Sequence, residues 1–177
     1  TGDIDVTNNQ TITAGTVAQP SIGDGIYARG NGNIKITANA AINAQDFGIL
    51  TASLGSDPSA ESSVYVNAEV KGNVRGLHIV HTGGGQSTVR LGVDGALIGD
   101  RVVGVFANNS YDGAAMIIEG APGAVQGTIH GAVRGVSAMT TNGNITVQNL
   151  ESVSAGGGNV DIPGDAGLFA RATGGAI

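Results

Sequence analysis

A short motif recurs six times along the chain and constrains the fold more than any other feature. Each copy is a glycine, a branched aliphatic residue, a variable residue and a mostly small residue, as in Gly25-Ile26-Tyr27-Ala28. The later copies begin 23 to 32 residues after one another, at Gly48, Gly76, Gly104, Gly135 and Gly167. A recurrence of this period, built on short β-type runs with glycine-rich joints, is typical of a solenoid.

Two further strand-like segments precede each glycine motif. The first set begins at Ile4, Ile34, Val64, Val89, Met116 and Ile145, and the second set at Ile12, Ile42, Val70, Leu97, Ile129 and Val153. Each alternates apolar and variable residues, as half-buried strands do. Three strands per turn with Gly and Asn corners predict an all-β, three-faced parallel β-helix of about six coils. The general rule for parallel crossovers makes it right-handed.

One coil is ambiguous, because Val125-Gln126-Gly127 also fits the second-strand pattern. The stretch from Gly120 to Gly127 is therefore either an insertion at a corner or a shifted register. Corners absorb length variation in solenoids, so that either alternative preserves the fold. No composition break divides the chain, and residues 1–177 are predicted to form a single β-helix segment.

Composition and charge exclude several classes of partner. The net charge is −6 with only two lysines and six arginines, which argues against a nucleic-acid partner and against docking on anionic lipid. No apolar run approaches the ~20 residues of a membrane-spanning helix, so membrane insertion by this segment is not expected. The absence of cysteine removes disulfides and thiolate metal sites.

Alternation along the third strands separates an inward from an outward column. The inward column is predicted to be a buried aliphatic ladder of Ile26, Ile49, Leu77, Val105, Val136 and Leu168. The outward column holds Tyr27, Leu50, His78, Phe106, Ser137 and Phe169, and thus three of the six aromatic residues. The other two outward columns are mostly polar: Asp5, Lys35, Tyr65, Arg90, Ile117 and Thr146 on the first face, and Thr13, Asn43, Lys71, Ile98, His130 and Ser154 on the second.

An apolar stripe on a solvent-facing side often marks an interaction surface. The candidate contact face is accordingly Tyr27, Leu50, His78, Phe106 and Phe169. Two other interpretations remain open: a stacking ladder that stabilises adjacent coils, or a face covered by another part of a larger parent protein.

Candidate chemistry elsewhere is sparse, and no catalytic residue, metal or cofactor is predicted. His78 and His81 are three residues apart on a strand and should therefore point to opposite faces, which disfavours a shared metal. Gly156 to Asp161 approaches a calcium-binding nonapeptide, but it occurs once and is better interpreted as a flexible corner. Asp24 and Asp46 flank successive third-strand glycines. Two carboxylates would satisfy glycosidase chemistry by count, but no third carboxylate joins them.

The run Gly23 to Arg29, followed by Gly32 to Thr37 and an Ala/Gly-rich second strand, resembles the passenger domains of bacterial autotransporters. These are type V secretion proteins, and the resemblance is to the large, glycine-rich adhesin kind. It covers essentially the whole chain and implies an extracellular location at the bacterial cell surface. The chain opens on a strand at Ile4 and ends as a further coil begins, without polar caps, which indicates a fragment of a longer passenger.

The resemblance and the residues together favour a non-enzymatic adhesive segment. The expected partner is a host matrix protein, a host cell-surface glycan or another copy of the chain. The alternative is a polysaccharide-active β-helix enzyme, either a lyase or a glycosidase. Carboxylates converging in a groove would distinguish the enzyme from the adhesive segment.

Overall fold

The chain folds into three parallel β-sheets that wind around one narrow interior. A computed structural model describes residues 2–15, 23–122, 125–156, 166–174 and 177. Each sheet contains six strands, and every sheet neighbour lies one repeat away along the chain. The fold is an all-β parallel β-solenoid of about five turns, which confirms the predicted class.

The strands follow one another in the order first, second and third sheet within each turn. The first sheet contains β1 (Ile4–Asn8), β4 (Ile34–Ala38), β7 (Ser62–Val66), β10 (Ser87–Leu91), β13 (Met116–Gly120) and β16 (Ile145–Gln148). The second contains β2 (Ile12–Ala14), β5 (Ile42–Ala44), β8 (Glu69–Gly72), β11 (Ala96–Gly99), β14 (Thr128–Gly131) and β17 (Ser152–Ala155). The third contains β3 (Ile26–Gly30), β6 (Phe47–Ser53), β9 (Arg75–His81), β12 (Val103–Asp112), β15 (Arg134–Thr141) and β18 (Ala166–Thr173).

The inward aliphatic ladder of the third sheet forms in the predicted register, with Ile49 opposite Leu77 and Leu77 opposite Val105. Its members are buried from Ile26 to Val136. Leu168 is the exception, since 46% of its surface is exposed. The prediction that Leu168 is buried is wrong, because β18 is the last strand of its sheet and pairs only with β15 among the described strands.

The second outward column also forms as predicted, from Thr13 through to Ser154. The first column does not. Lys35 lies opposite Ser63 rather than Tyr65, and Arg90 lies opposite Glu119 rather than Ile117. The cause is that β7 and β10 begin with an inward serine where the flanking strands have an apolar residue. Apolar alternation therefore starts two positions late in these strands.

The interior is apolar along most of its length but polar at one corner. Ser53, His81, Asn109 and Thr140 lie opposite one another at the ends of the third strands. All four are buried. Ser87, which opens β10, faces the same corner: its Oγ lies 3.3 Å from Asn109 Nδ2. We call Ser53, His81, Asn109 and Thr140 the polar corner.

Corner residues stack as regularly as the strands do. Asn39 Nδ2 donates to Asn9 Oδ1, and Asn67 Nδ2 donates to Asn39 Oδ1, each at 2.8 Å. Between the second and third sheets the turn is so tight that a Cβ at Gly72 would clash with the carbonyl oxygen of Arg75. The stretch from Gly120 to Gly127 is an insertion, because β14 begins at Thr128 and pairs in register with β11.

Candidate functional site

The outward column of the third sheet brings the five predicted contact residues into one line. Tyr27 pairs with Leu50, Leu50 with His78, and His78 with Phe106. Phe169 continues the line beyond Ser137. Parallel pairing in register produces this line, because outward side chains of successive coils then stand directly above one another.

The members of the column differ in exposure. Tyr27 is the most accessible, with 55% of its surface exposed. Leu50, His78, Phe106 and Phe169 are half-buried, and Ser137 is almost fully covered at 2%. The column is therefore a packed surface with an exposed aromatic residue at one end.

Phe47, Arg75 and Arg134 belong to the same face, and the alternation argument missed them. The Phe47 ring meets His78 edge-on at 5.1 Å, and His78 meets Phe106 in the same way at 5.0 Å between ring centroids. The Arg75 guanidinium lies 4.3 Å from the Phe106 ring centroid. The Arg134 guanidinium lies 4.4 Å from the Phe169 ring centroid.

These three residues were missed because they precede the motif glycine. Strict alternation places a residue three positions before an outward one on the inward side. The contacts of Arg75 with His78 and Phe106 nevertheless place its side chain on the outward side, so alternation does not hold across the motif glycine. The repeated triplet Arg-Gly-aliphatic, at Arg75 and again at Arg134, was the sequence signal that could have revealed them.

Arg75 and His78 interact directly. Arg75 Nη1 lies 2.9 Å from His78 Nδ1. Burial, and to a smaller extent the positive charge of Arg75, lowers the pKa of His78 to about 4. A neutral imidazole accepts a hydrogen bond from the guanidinium, so His78 is a neutral acceptor near pH 7. The pair therefore carries a single positive charge.

Arg75 and Arg134 each have a guanidinium nitrogen without a hydrogen-bond partner. Nε of Arg75 and Nε of Arg134 are buried and have no hydrogen-bond partner. Burial lowers the pKa of Arg75, and the nearby charge of Asp46 opposes that change. A guanidinium nevertheless remains protonated in proteins. Stacking on Phe rings supplies part of the lost solvation, as cation–π contacts do.

Two acidic residues, Asp24 and Asp46, lie beside this face. Asp24 Oδ1 accepts a hydrogen bond of 3.3 Å from the backbone N–H of Phe47. Burial raises the pKa of Asp46, the charge of Asp24 adds to the rise, and Arg75 opposes it. Asp24 and Asp46 thus lie close enough to influence each other. Within the described residues no group of three His, Cys, Asp or Glu side chains is placed to hold a metal ion.

The two histidines of β9 point to opposite sides, as predicted: His78 is outward and half-buried, and His81 is fully buried. The neighbouring backbone of Ala60, Gly83 and Gly85 faces the His81 ring, but neither ring nitrogen has a hydrogen bond of good geometry. The calcium-like stretch from Gly156 to Asp161 lies, beyond its first residue, outside the described residues.

Two shallow polar depressions lie on the other sheets. One, of about 310 Å³, is lined by Thr13, Asn43, Ala44, Gln45, Lys71, Asn73 and Asp100. The other, of about 360 Å³, is lined by Lys35, Thr37, Tyr65, Asn67, Arg90, Gly92 and Ala121. In both, the cations are engaged: Lys71 Nζ lies 2.9 Å from Asp100, and Arg90 Nε donates to Glu119 at 3.0 Å. Neither depression gathers carboxylates.

Two further observations concern membrane-spanning helices and similarity to known proteins. In the described ranges no helix has the length and apolarity of a membrane crossing. Comparison with protein-family models, with curated proteins and with solved structures found no match to the chain. Its architecture is that of a three-sheet parallel β-solenoid.

Proposed function

We propose that this chain is a non-enzymatic adhesive segment displayed at a bacterial cell surface, of the kind found in autotransporter passengers. Its contact face is the outward column of the third sheet: Tyr27, Leu50, His78, Phe106 and Phe169. The partner is a host matrix protein, a host cell-surface glycan or another copy of the chain. The resemblance of Gly23 to Thr37 to such passengers supports the location.

The observation that carries the proposal is the exposure of Tyr27 at the end of the outward column of the third sheet. Tyrosine is enriched among residues that dominate binding energy, because it offers a large amphipathic surface at small conformational cost. Tyr27 is 55% exposed, and no ring contact is found for it among the described residues. Stacking along the column accounts for His78 and Phe106 but not for Tyr27.

The alternative of a polysaccharide-active enzyme has weaker support. Its candidate acids, Asp24 and Asp46, lie beside each other at a corner, where Asp24 caps the backbone of Phe47. A hydrolase needs two carboxyl groups on opposite sides of a bound sugar. Neither of the two depressions described above is lined by Asp24 or Asp46.

Replacement of Tyr27 by serine tests the contact face. Beads carrying the chain would be applied to cultured cells, to matrix-coated surfaces and to surfaces coated with the chain itself. We expect Tyr27→Ser to reduce adhesion to one of these surfaces by about tenfold, as loss of a central binding residue does.

Tyr65→Ser is the matched control, since Tyr65 is an outward tyrosine of the first sheet. It should leave adhesion unchanged. Equal adhesion by the original chain and by Tyr27→Ser, with both proteins folded, would refute the contact face.

A further inference from the structure

The arginines of this acidic chain are concentrated on one sheet. Four of the six lie in third-sheet strands: Arg29, Arg75, Arg134 and Arg171. The same strands contain a single acidic residue, Asp112, at the end of β12. The third-sheet strands therefore carry more basic than acidic residues, with Asp24 and Asp46 beside them, although the chain carries a net charge of −6.

Ion pairing distinguishes this sheet from the other two. Lys35 pairs with Asp5 at 3.6 Å, Lys71 with Asp100 at 2.9 Å, and Arg90 with Glu119. These three are the cations of first- and second-sheet strands. In the part of the chain that the structure describes, no third-sheet arginine forms an ion pair.

Two of the four third-sheet arginines pack against aromatic rings. Arg75 stacks on Phe106 and Arg134 stacks on Phe169, and Nε of each is buried without a hydrogen-bond partner. Arg29 and Arg171 are exposed. A charge that is desolvated and not directly ion-paired attracts an anion more strongly than a charge in open solvent does. The nearby negative charge of Asp46 reduces this effect at Arg75.

The spacing along the solenoid axis suits a linear polyanion. Arg75 and Arg134 stand on β9 and β15, with β12 between them. Two strand spacings correspond to roughly 9–10 Å. Arg29 and Arg171 lie in one further column, five strand spacings or roughly 24 Å apart. Anionic groups repeated along an extended chain could meet these positions in turn.

We infer that the third-sheet face binds an acidic polysaccharide, one that carries carboxylate or sulfate groups at intervals, with its chain along the solenoid axis. This inference rests on the proposed adhesive function and names the chemistry of the partner. Sugar rings pack their C–H faces on aromatic side chains such as Tyr27, while their acid groups pair with the arginines.

A peptide partner is less suited to this face. Peptides commonly dock by adding a strand to a free sheet edge. The strands β6, β9, β12 and β15 are paired on both sides, so their backbone groups are already used. Between the end strands β3 and β18, contacts on this face must therefore come from side chains, which an acidic polysaccharide can satisfy through its protruding groups.

The test measures binding of the chain to four immobilised polymers. Heparin supplies sulfates, polygalacturonate supplies carboxylates, dextran is neutral, and polyglutamate is an acidic peptide. We expect binding to heparin or polygalacturonate, weakening as ionic strength rises, and no binding to dextran.

A pair of double variants isolates the face. Arg29→Gln with Arg171→Gln removes two exposed charges from the third sheet and should weaken polysaccharide binding by about tenfold. Lys35→Gln with Lys71→Gln removes the same charge from the other two sheets and should change it by less than about twofold. Thermal melting of both variants verifies that each is folded.

Several results would overturn the inference: equal losses in the two double variants, equal binding to dextran, or tighter binding to polyglutamate, which would assign the face to acidic peptides. Failure of the inference is distinguishable from failure of the proposed function. If no polyanion binds but Tyr27→Ser still reduces adhesion, only the anionic partner is refuted. If the arginines bind polyanions but Tyr27→Ser leaves adhesion intact, only the adhesive column is refuted.

Discussion

The two ends of the third strands are buried equally and built differently. Near the motif glycine the inward residues are aliphatic, as at Leu77 and Val105, and they pack on one another. At the other end the inward residues are His81 and Asn109, and both are as fully buried as the aliphatic ones. Burial in this narrow interior is therefore not equivalent to apolarity. The aliphatic end needs only neighbours of suitable volume, whereas the polar corner needs hydrogen-bond partners. Backbone carbonyl groups supply them to Ser53, Asn109 and Thr140, but not to the ring nitrogens of His81.

The largest effect should come from a charge placed in the aliphatic end. Val105 has no exposed surface, so Val105→Asp would bury an unpaired carboxylate and cost several kcal/mol. Chemical denaturation measures the free energy of unfolding. Val93→Asp is the control, because Val93 is 77% exposed and should tolerate the change. Equal losses in both variants would contradict the assigned inward direction.

The polar corner should be most sensitive at Asn109. Its Nδ2 lies 3.4 Å from the carbonyl oxygen of Gly85, and its Oδ1 accepts from the backbone N–H of Tyr111 at 3.1 Å. Asn109→Ala leaves these partners without the buried Asn109 side chain and should cost about 1–3 kcal/mol. Asn108→Ala, an outward asparagine one residue earlier, should cost less than about 0.5 kcal/mol. If both variants unfold at the same denaturant concentration, the corner hydrogen bonds do not stabilise the fold.

Acid should destabilise the fold through His78 and His81. The pKa of each is lowered in the folded chain, chiefly by burial, although Glu61 and neighbouring backbone groups oppose the shift at His81. The unfolded chain then takes up protons first, so stability falls as pH drops from about 6.5 towards about 4.

Melting temperatures at several pH values, compared with those of His78→Gln and His81→Gln, measure this dependence. Each variant should show a shallower decline than the original chain. A melting temperature that is constant between pH 7 and pH 5 would exclude the mechanism.

The smallest effect in the polar corner should be at Ser53. Its Oγ makes one long contact, 3.4 Å to the carbonyl oxygen of Gly32. Ser53→Ala removes a weak hydrogen bond and should change the free energy of unfolding by less than about 0.5 kcal/mol. A loss as large as that of Asn109→Ala would mean that the corner acts as one connected network.

The positions of the strands could be predicted because each repeat carries the same spacing of glycine and aliphatic residues. The inward and outward assignment of Tyr27, Leu77 and Val105 followed from simple alternation. The assignment failed where a polar residue occupies an inward position. Ser62 and Ser87 are inward but polar, so that the first face was assigned two residues out of register.

The arginines of the candidate face illustrate the second limit of sequence reasoning. Arg75 contacts His78 on the outward side, although strict alternation would place it inward. The alternating pattern could not show on which side of the sheet a residue before the motif glycine lies. The net charge of −6 also gave no indication that the arginines are concentrated in the third-sheet strands, since net charge carries no information about where the charges lie.

The one-repeat spacing of all sheet partners has a mechanical consequence. Every coil is attached only to the coils directly above and below it. Under tension the chain should peel from an end, one coil per rupture. Each rupture would release one repeat, from the 23 residues between Gly25 and Gly48 to the 32 between Gly135 and Gly167, or about 100 Å of extended chain. Such a body lengthens in steps and dissipates work at each step, so that a tether built from it would survive pulling forces that break a rigid rod.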